Sequence, residues 1–327
     1  MKKRVLSGTR ATGRLHLGNY LGAVEGYIAL QEDPDYGTFY VVVDLHSINT
    51  KYDPKNFQKS VREIILDYLA CGIDPEKSTI FIQSHVSEHV ELFYLFSTQV
   101  TVARMQHLPT YKEKVKLHPK NVNMALLNYP ILMAADILAY KAHTVPVGDD
   151  QLPHLEIARE IARKMNQKYG TDFPEPKQYK TKGFRTPSLL GEGKMSKSVE
   201  GSYINITDDL ETIGSKLAKV PTDSGKGEKV PEKGGVSSLL TFVEYFQGEK
   251  KRKEYEDDYT KDGIRYKTLK ADLAKAIYEE LKPIQEKRKE LEQKPDYVEK
   301  VIVEGAKKAR KVAKKTLSDT KKKMGLV

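Results

Sequence analysis

The 327 residues include no tryptophan and a single cysteine, Cys71. One cysteine excludes an intrachain disulfide and any cysteine-clustered zinc or iron–sulfur site. No apolar run is long enough to cross a bilayer, and the opening MKKRVLSG lacks the apolar stretch of a secretory signal. Neither standard phosphate loop is present. Gly13, Gly18 and Gly22 do not follow the dinucleotide fingerprint, and no Gly-Lys-Ser/Thr comes after them. These absences lead us to expect a cytoplasmic protein with no membrane partner.

An apolar fraction of 39% is adequate for a real core. The formal charge of +10 is unevenly spread, with nine Lys or Arg against two acids from Val301 onward. A basic surface suits a polyanion such as nucleic acid. A solvated lysine-rich helix in a thermally robust protein is the competing reading.

The first half alternates two periodicities. RVLSG, TFYVVVDLHSI, STIFIQSH and HTVPVG read as strands, and segments such as Leu17 to Gln31 and HVELFYLFSTQV read as helices. Between them Phe57, Val61, Ile64, Ile65, Tyr68 and Leu69 recur at helical steps up to Cys71-Gly72. The alternation predicts an α/β fold, a Rossmann-like parallel sheet with helices on both faces, whose ligands sit in loops at the C-terminal strand ends. YGTDFPEPKQYKTKGFRTPSLLGEGKMSKS reads as long loops, and from Val236 the chain is mostly helical. We therefore expect a catalytic-type α/β domain over residues 1–200 and a smaller all-helical domain over 201–327. The last helix of the second is expected to pack back on the first.

TGRLHLGNY, Thr12 to Tyr20, stands between a strand and a helix. Gly18 in the first helical turn would let a ligand approach backbone N–H groups at a positive helix end. His16 and Asn19 can hydrogen-bond to a phosphate or ribose there. Taken alone, an ordinary turn with packing glycines fits equally well. KMSKS, Lys194 to Ser198, follows GEG, and its two lysines beside two hydroxyls could wrap outer phosphates and track charge on a departing pyrophosphate. Gly191 and Gly193 would let that loop swing. A solvated basic loop is the commoner fate of such a string.

The pair is far more specific than either motif. HLGN after the first strand with KMSKS after the last resembles the signature of class I aminoacyl-tRNA synthetases. NYPILMAADILAYKAHTVPVGDDQLPHLEIAREIA, SGTRATGRLHLGNYLGA and EGAKKARKVAKKTL extend the resemblance to tryptophanyl-tRNA synthetases over nearly the whole chain. It implies that Asp136 accepts the indole N–H of tryptophan, with Met133, Tyr129 and His46 around it and Gln151 at the amino-acid side. A carboxylate on the apolar face of ILMAADILAY is costly unless paired, and such buried polar contacts discriminate strongly. An aspartate tied to a helix end or lysine is the alternative for this residue alone.

The resemblance further implies an ATP site. The backbone of Gly148, Asp149 and Asp150 would meet the nucleotide, and Thr186 would cover adenine. Met195, Ser196 and Ser198 would belong to the loop with Lys194 and Lys197, and Lys114 rather than Lys112 would reach the phosphates. Arg10-Ala11-Thr12 stands where many bacterial members read Gln-Pro-Ser, bringing a fixed charge toward the α-phosphate or substrate carboxylate. Some members with an arginine here hold an iron–sulfur cluster on four cysteines, which a single cysteine excludes.

The reaction implied joins the tryptophan carboxylate to the α-phosphorus of ATP in line, with no covalent enzyme intermediate. His16, Asn19 and Arg10 would serve the α-phosphate region, and Lys114, Lys194 and Lys197, with Mg²⁺ bound on ATP rather than at a dedicated protein site, the pyrophosphate. The adenylate would then meet the terminal ribose of tRNA(Trp), the lysine-rich C-terminal helices forming the anticodon-side surface. A homodimer is implied, and the apolar FYLFSTQVTVARM could supply its interface or be core. A tyrosyl-tRNA synthetase, a small-molecule nucleotidyltransferase and a binding protein without catalysis are the rival readings. In this family, a chain free of tryptophan could be made when tryptophan is scarce.

Overall fold

The computed structural model describes residues 2–117, 119–120, 122–180, 186–197 and 199–327. Five described strands, β1 (Lys3–Thr9), β2 (Tyr36–Val42), β3 (Ser78–Ile82), β4 (Thr144–Pro146) and β5 (Lys177–Tyr179), form one sheet in the order β3-β2-β1-β4-β5. Every pairing is parallel. The fold is thus the Rossmann-like α/β architecture expected, with a helical C-terminal region.

Alternation along the strands builds two cores. Tyr40 and Val42 of β2 and Ile80 and Ile82 of β3 face one side, where Val61, Ile64, Ile65 and Tyr68 of the helix Pro54–Ala70 cover them. Phe39, Val41 and Phe81 face the other, packed by the helices Glu88–Ser97, Met124–Ala139 and Leu152–Tyr169. A strand buried on both faces needs such near-continuous apolar sequence.

Some boundaries differ from expectation. TFYVVVDLHSI is not strand throughout: β2 ends at Val42, and Asp44–Ser47 turns helical. The Asp44 carboxylate accepts the N–H groups of Leu45 (3.0 Å) and Ser84 (2.9 Å), which an extended chain could not offer it. The helix after the first loop begins at Leu17–Asn19, passes through a π-turn at Tyr20–Val24 and continues as Glu25–Glu32. The segment before KMSKS is not loop throughout: β5 (Lys177–Tyr179) pairs with β4 inside it, and residues 181–185 lie outside the described residues.

The core does not stop at residue 200. Met195, Ile206, Leu217, Leu239, Phe242 and Ile277 share one cluster with Leu15, Leu21 and Ile64. The final helix, Pro295–Lys323, lies along the outer strand β3: Val298 and Ile302 join one core, and Ala309, Ala313 and Leu317 the other. Gly305 marks the crossing, where a Cβ would sit 1.7 Å from the Ile80 carbonyl oxygen. The helix thereby covers a sheet edge that would otherwise invite pairing.

Candidate active site

Strands are added outward from β1 to β2 to β3, and the chain then returns to place β4 on the other side of β1. The loops after β1 and β4 therefore part at a topological switch point, where open α/β sheets present a crevice. Residues 10–19 follow β1 and residues 148–151 follow β4, and contacts of Lys197 with Thr12 and of Lys194 with Asp150 tie both segments to the KMSKS loop.

Within the first loop, the His16 N–H donates to Asn19 Oδ1 at 3.1 Å, so these two polar residues fix each other's position at the helix start. Burial, then the charges of Lys197 and Lys194, push the His16 imidazole down to about 4. It stands neutral at physiological pH. Its buried Nδ1 has no hydrogen-bond partner among the described residues, a group poised for a ligand donor or acceptor. A side chain at Gly18 would come within 3.0 Å of the His16 ring and 3.2 Å of Met195 Cβ. Only glycine lets the helix start, the imidazole and the KMSKS loop close together. Ala11 N–H donates to Ser47 Oγ at 2.8 Å, and Arg10 Nη2 to Thr50 Oγ1 at 2.8 Å.

The second loop meets the first. Lys197 Nζ lies 3.4 Å from the Thr12 carbonyl, and Met195 N–H donates to the buried Thr186 carbonyl at 3.0 Å. Ser196 N–H donates to Ser202 Oγ at 3.3 Å, and Lys194 forms an ion pair with Asp150 at 3.6 Å. Ser198 lies outside the described residues. Burial lowers the Lys197 ammonium to about 8, with Asp67 acting in the opposite sense. Gly193, at φ +71°, has open space around it, whereas a Cβ at Gly191 would strike the Gly235 nitrogen at 2.4 Å. Of the two expected hinges, Gly191 is therefore packed against the start of the helix Gly235–Gln247, while Gly193 has no such contact, its carbonyl accepting the Ser188 N–H at 3.2 Å.

On the β4 side, Gly148 caps the turn Asp149–Gln151. Asp149 accepts from Gln178 Nε2 at 2.9 Å, and Asp150 from Gln151 Nε2 at 3.0 Å. Lys114 Nζ sits 3.8 Å above the Tyr129 ring. Burial and then the Arg10 charge bring this lysine down to about 8. Cation–π contact with the ring stabilises the ammonium in that half-buried place.

Asp136 is buried on the helix Met124–Ala139. His46 Nε2 lies 2.9 Å from Oδ2 and His89 Nδ1 2.6 Å from Oδ1, while Gln83 Nε2 donates to both oxygens at 2.9 and 2.8 Å. A carboxylate only accepts, so each facing ring nitrogen presents its hydrogen. Burial opposes the charge, but the His46 and His89 hydrogen bonds outweigh it and hold Asp136 at about 2. Four contacts occupy an oxygen pair with about four acceptor sites, so a ligand N–H must displace one of them. Met133 is half-buried on the same helix, and Tyr129 stands edge-on to His46 at 6.3 Å.

Sequence reasoning did not single out Gln83, His89 or His154. The Tyr129 hydroxyl meets His154 Nε2 at 2.7 Å, and His154 Nδ1 meets Gln151 Oε1 at 2.9 Å. His154 lies three residues after Gln151, the spacing of a shared helix face. Gln83 and His89 follow β3 and join the cluster only through the tertiary fold.

The fold and site together define a doubly wound α/β protein whose polar loops converge on its switch point. Residues 1–282 match the family described as "tRNA synthetases class I (W and Y)", and the chain belongs to that family. A tryptophan–tRNA ligase of Porphyromonas gingivalis is 40% identical over 323 residues, 97% of each chain. The structure is similar to a tryptophanyl-tRNA synthetase of Campylobacter jejuni complexed with ADP and tryptophan. The TM-score is 0.85 at 31% identity, covering 99% of this chain and 100% of the other. A tryptophanyl-tRNA synthetase of Mycoplasma pneumoniae gives 0.85 at 30%, covering 100% and 99%. No described helix is long and apolar enough to cross a membrane.

Proposed function

We propose that this chain is a tryptophan–tRNA ligase that activates L-tryptophan with ATP and transfers it to the 3′-terminal ribose of tRNA(Trp). The observation that carries this reading is the 40% identity to a named tryptophan–tRNA ligase across 97% of both chains. Tyrosyl-tRNA synthetase, the nearest rival, has no observation here that favours it.

In this reading Asp136 accepts the indole N–H in exchange for one of its present partners. His46, Tyr129, Met133 and Gln151 frame the ring and the amino-acid end. The His16–Asn19 segment and Arg10 receive the α-phosphate and ribose, with Ala11, Thr12 and Gly18 offering backbone. Gly148, Asp149, Asp150 and Thr186 hold the nucleoside. Lys114, Lys194 and Lys197 take the charge that develops on pyrophosphate, the term electrostatic catalysis depends on. Lys194 now leans on Asp150, a surface pair of little worth that phosphate can replace. Mg²⁺ arriving on ATP would share the phosphate charge, its ligands being mainly phosphate oxygens and water. The exposed Asp149 and Asp150 beside the cationic loop fit that donor chemistry.

We assign residues 1–200 to catalysis and 201–327 to tRNA, with the last helix returned over β3. On that helix Lys307, Arg310, Lys311 and Lys314 line a groove with His85, a surface suited to phosphates. The proposed homodimer would use Val90, Tyr94 and Val102, which are 49%, 71% and 59% exposed, beside a depression lined by Leu45 and Val86. Pyrophosphate exchange into ATP tests the function. Exchange should depend on tryptophan and not on tyrosine, and exchange that follows tyrosine instead would overturn it.

A further inference from the structure

The helix Tyr266–Glu292 reaches the foot of the first loop by two routes. Arg288, 3% exposed, forms ion pairs with Asp67 and Glu63 of the helix Pro54–Ala70, and with Glu292 at 3.0 Å. Asp67, 0% exposed, turns its other oxygen to the N–H of Leu15, which donates at 2.5 Å from the residue preceding His16. One turn earlier, Gln285 Nε2 donates to the carbonyls of Ile206 (2.9 Å) and Asp208 (2.8 Å). Ile206 N–H in turn donates to the Leu15 carbonyl at 3.2 Å, and Leu17 N–H to the Ile204 carbonyl at 2.8 Å. Both backbone polar groups of Leu15 therefore end, through one intermediate each, on the same C-terminal helix.

Stability is a poor explanation for this arrangement. A buried ion pair is commonly no better than a well-packed apolar pair of the same volume. An apolar pair could not, however, satisfy the Leu15 N–H, and an unpaired buried donor is costly. What the carboxylate adds is a fixed place for the chain entering His16. Arg14 takes part from the loop itself, its Nε 2.7 Å from Glu63.

We propose that Asp67, Arg288 and Gln285 are positioning residues through which the C-terminal helices set the Leu15–Asn19 segment for ATP. The proposal rests on reading that segment as the nucleotide-phosphate site. Asp136, His46 and Gln151 stand on other elements, so the tryptophan pocket should be spared. Small misplacement of reacting groups costs about 10²-fold in rate.

The test is exchange kinetics with ATP and tryptophan varied separately, joined to amide hydrogen exchange of peptides spanning residues 12–20. Gln285→Ala, at a half-buried site, removes one route; Asp67→Ala removes the other. Each should lower kcat/KM for ATP by about 10- to 100-fold, with the KM for tryptophan changed by less than about twofold. Asp67→Asn keeps an acceptor for Leu15 and should recover part of the loss. Arg288→Lys, which keeps charge but not the planar fork, should recover less than its charge alone would suggest. Peptide 12–20 should exchange faster in Gln285→Ala. Unchanged protection there, or parallel losses for ATP and tryptophan, overturns the proposal. A wild-type chain without tryptophan-dependent exchange would instead overturn the functional reading, and the hydrogen-exchange arm would still decide this one.

Discussion

At Asp136 burial and hydrogen bonding pull in opposite directions, and hydrogen bonding wins. The carboxyl is held at about 2 against an ordinary 3.8. Because the folded value is the lower one, ionisation adds stability above about pH 4, and this is lost as pH falls toward 2. The difference is worth about 2 kcal/mol at neutral pH. Urea unfolding at about pH 6 and about pH 3 should show about half of that loss in the parent and less in Asp136→Asn. If Asp136 also reads the indole, the same variant should raise the KM for tryptophan well beyond that for ATP. The lysines titrate nearer neutrality. Lys114 and Lys197 both stand at about 8, chiefly because they are buried. Their charge is lost as pH rises through that value, so kcat/KM for ATP should decline above about pH 8. The bound phosphates restore the charge, and kcat itself should hold to higher pH. A kcat/KM profile flat to about pH 10 would contradict the assignment. Lys197→Ala should cost about 10²- to 10³-fold in kcat for exchange, the usual penalty for one lost transition-state donor.

Elements explain why these residues meet. The helix Pro54–Ala70 is legible from its apolar repeat and its stop at Gly72, φ +103°, while the structure adds its Asp53 cap, which accepts the Lys55 N–H at 3.0 Å. The same repeat contained a further signal: Asp67 interrupts the stripe of Ile64, Ile65, Tyr68 and Leu69. The reasoning that picked out Asp136, a carboxylate on an apolar face, applies equally to Asp67. Its partner Arg288 lies 221 residues away in sequence, and no local pattern links them. The final helix shows a second limit. Its return onto the first domain was expected, but nothing local says that Gly305 must lie against the Ile80 carbonyl. Gly305→Ala should destabilise the protein by about 2 kcal/mol or more through overpacking against backbone. The midpoint of denaturant unfolding measures this.

For the whole molecule, charge and surface decide association. With a net charge of +10 and a basic groove on the last helix, tRNA binding should weaken steeply with salt. Replacing Lys311 and Lys314 by Gln should flatten the log–log slope by about one for each phosphate contact removed. A two-fold dimer would cover the same apolar patch on both subunits. Tyr94→Glu should then yield a monomer in sedimentation velocity, and an unchanged sedimentation coefficient would assign Tyr94 to the free surface.

The parallel sheet with its first four strands and its covering helices was readable from periodicity, a local property, while β5 sits in a segment that read as loop and the pairing of HLGN with KMSKS came from the resemblance to class I synthetases. Tertiary structure decided the rest. It brought Gln83 and His89 to the carboxylate beside the expected His46, joined Leu15 to Arg288, and chose β3 as the place where the returning last helix packs. Each of these is a contact between segments far apart in the chain, where satisfying a buried polar group depends on three-dimensional neighbours that no sequence window contains.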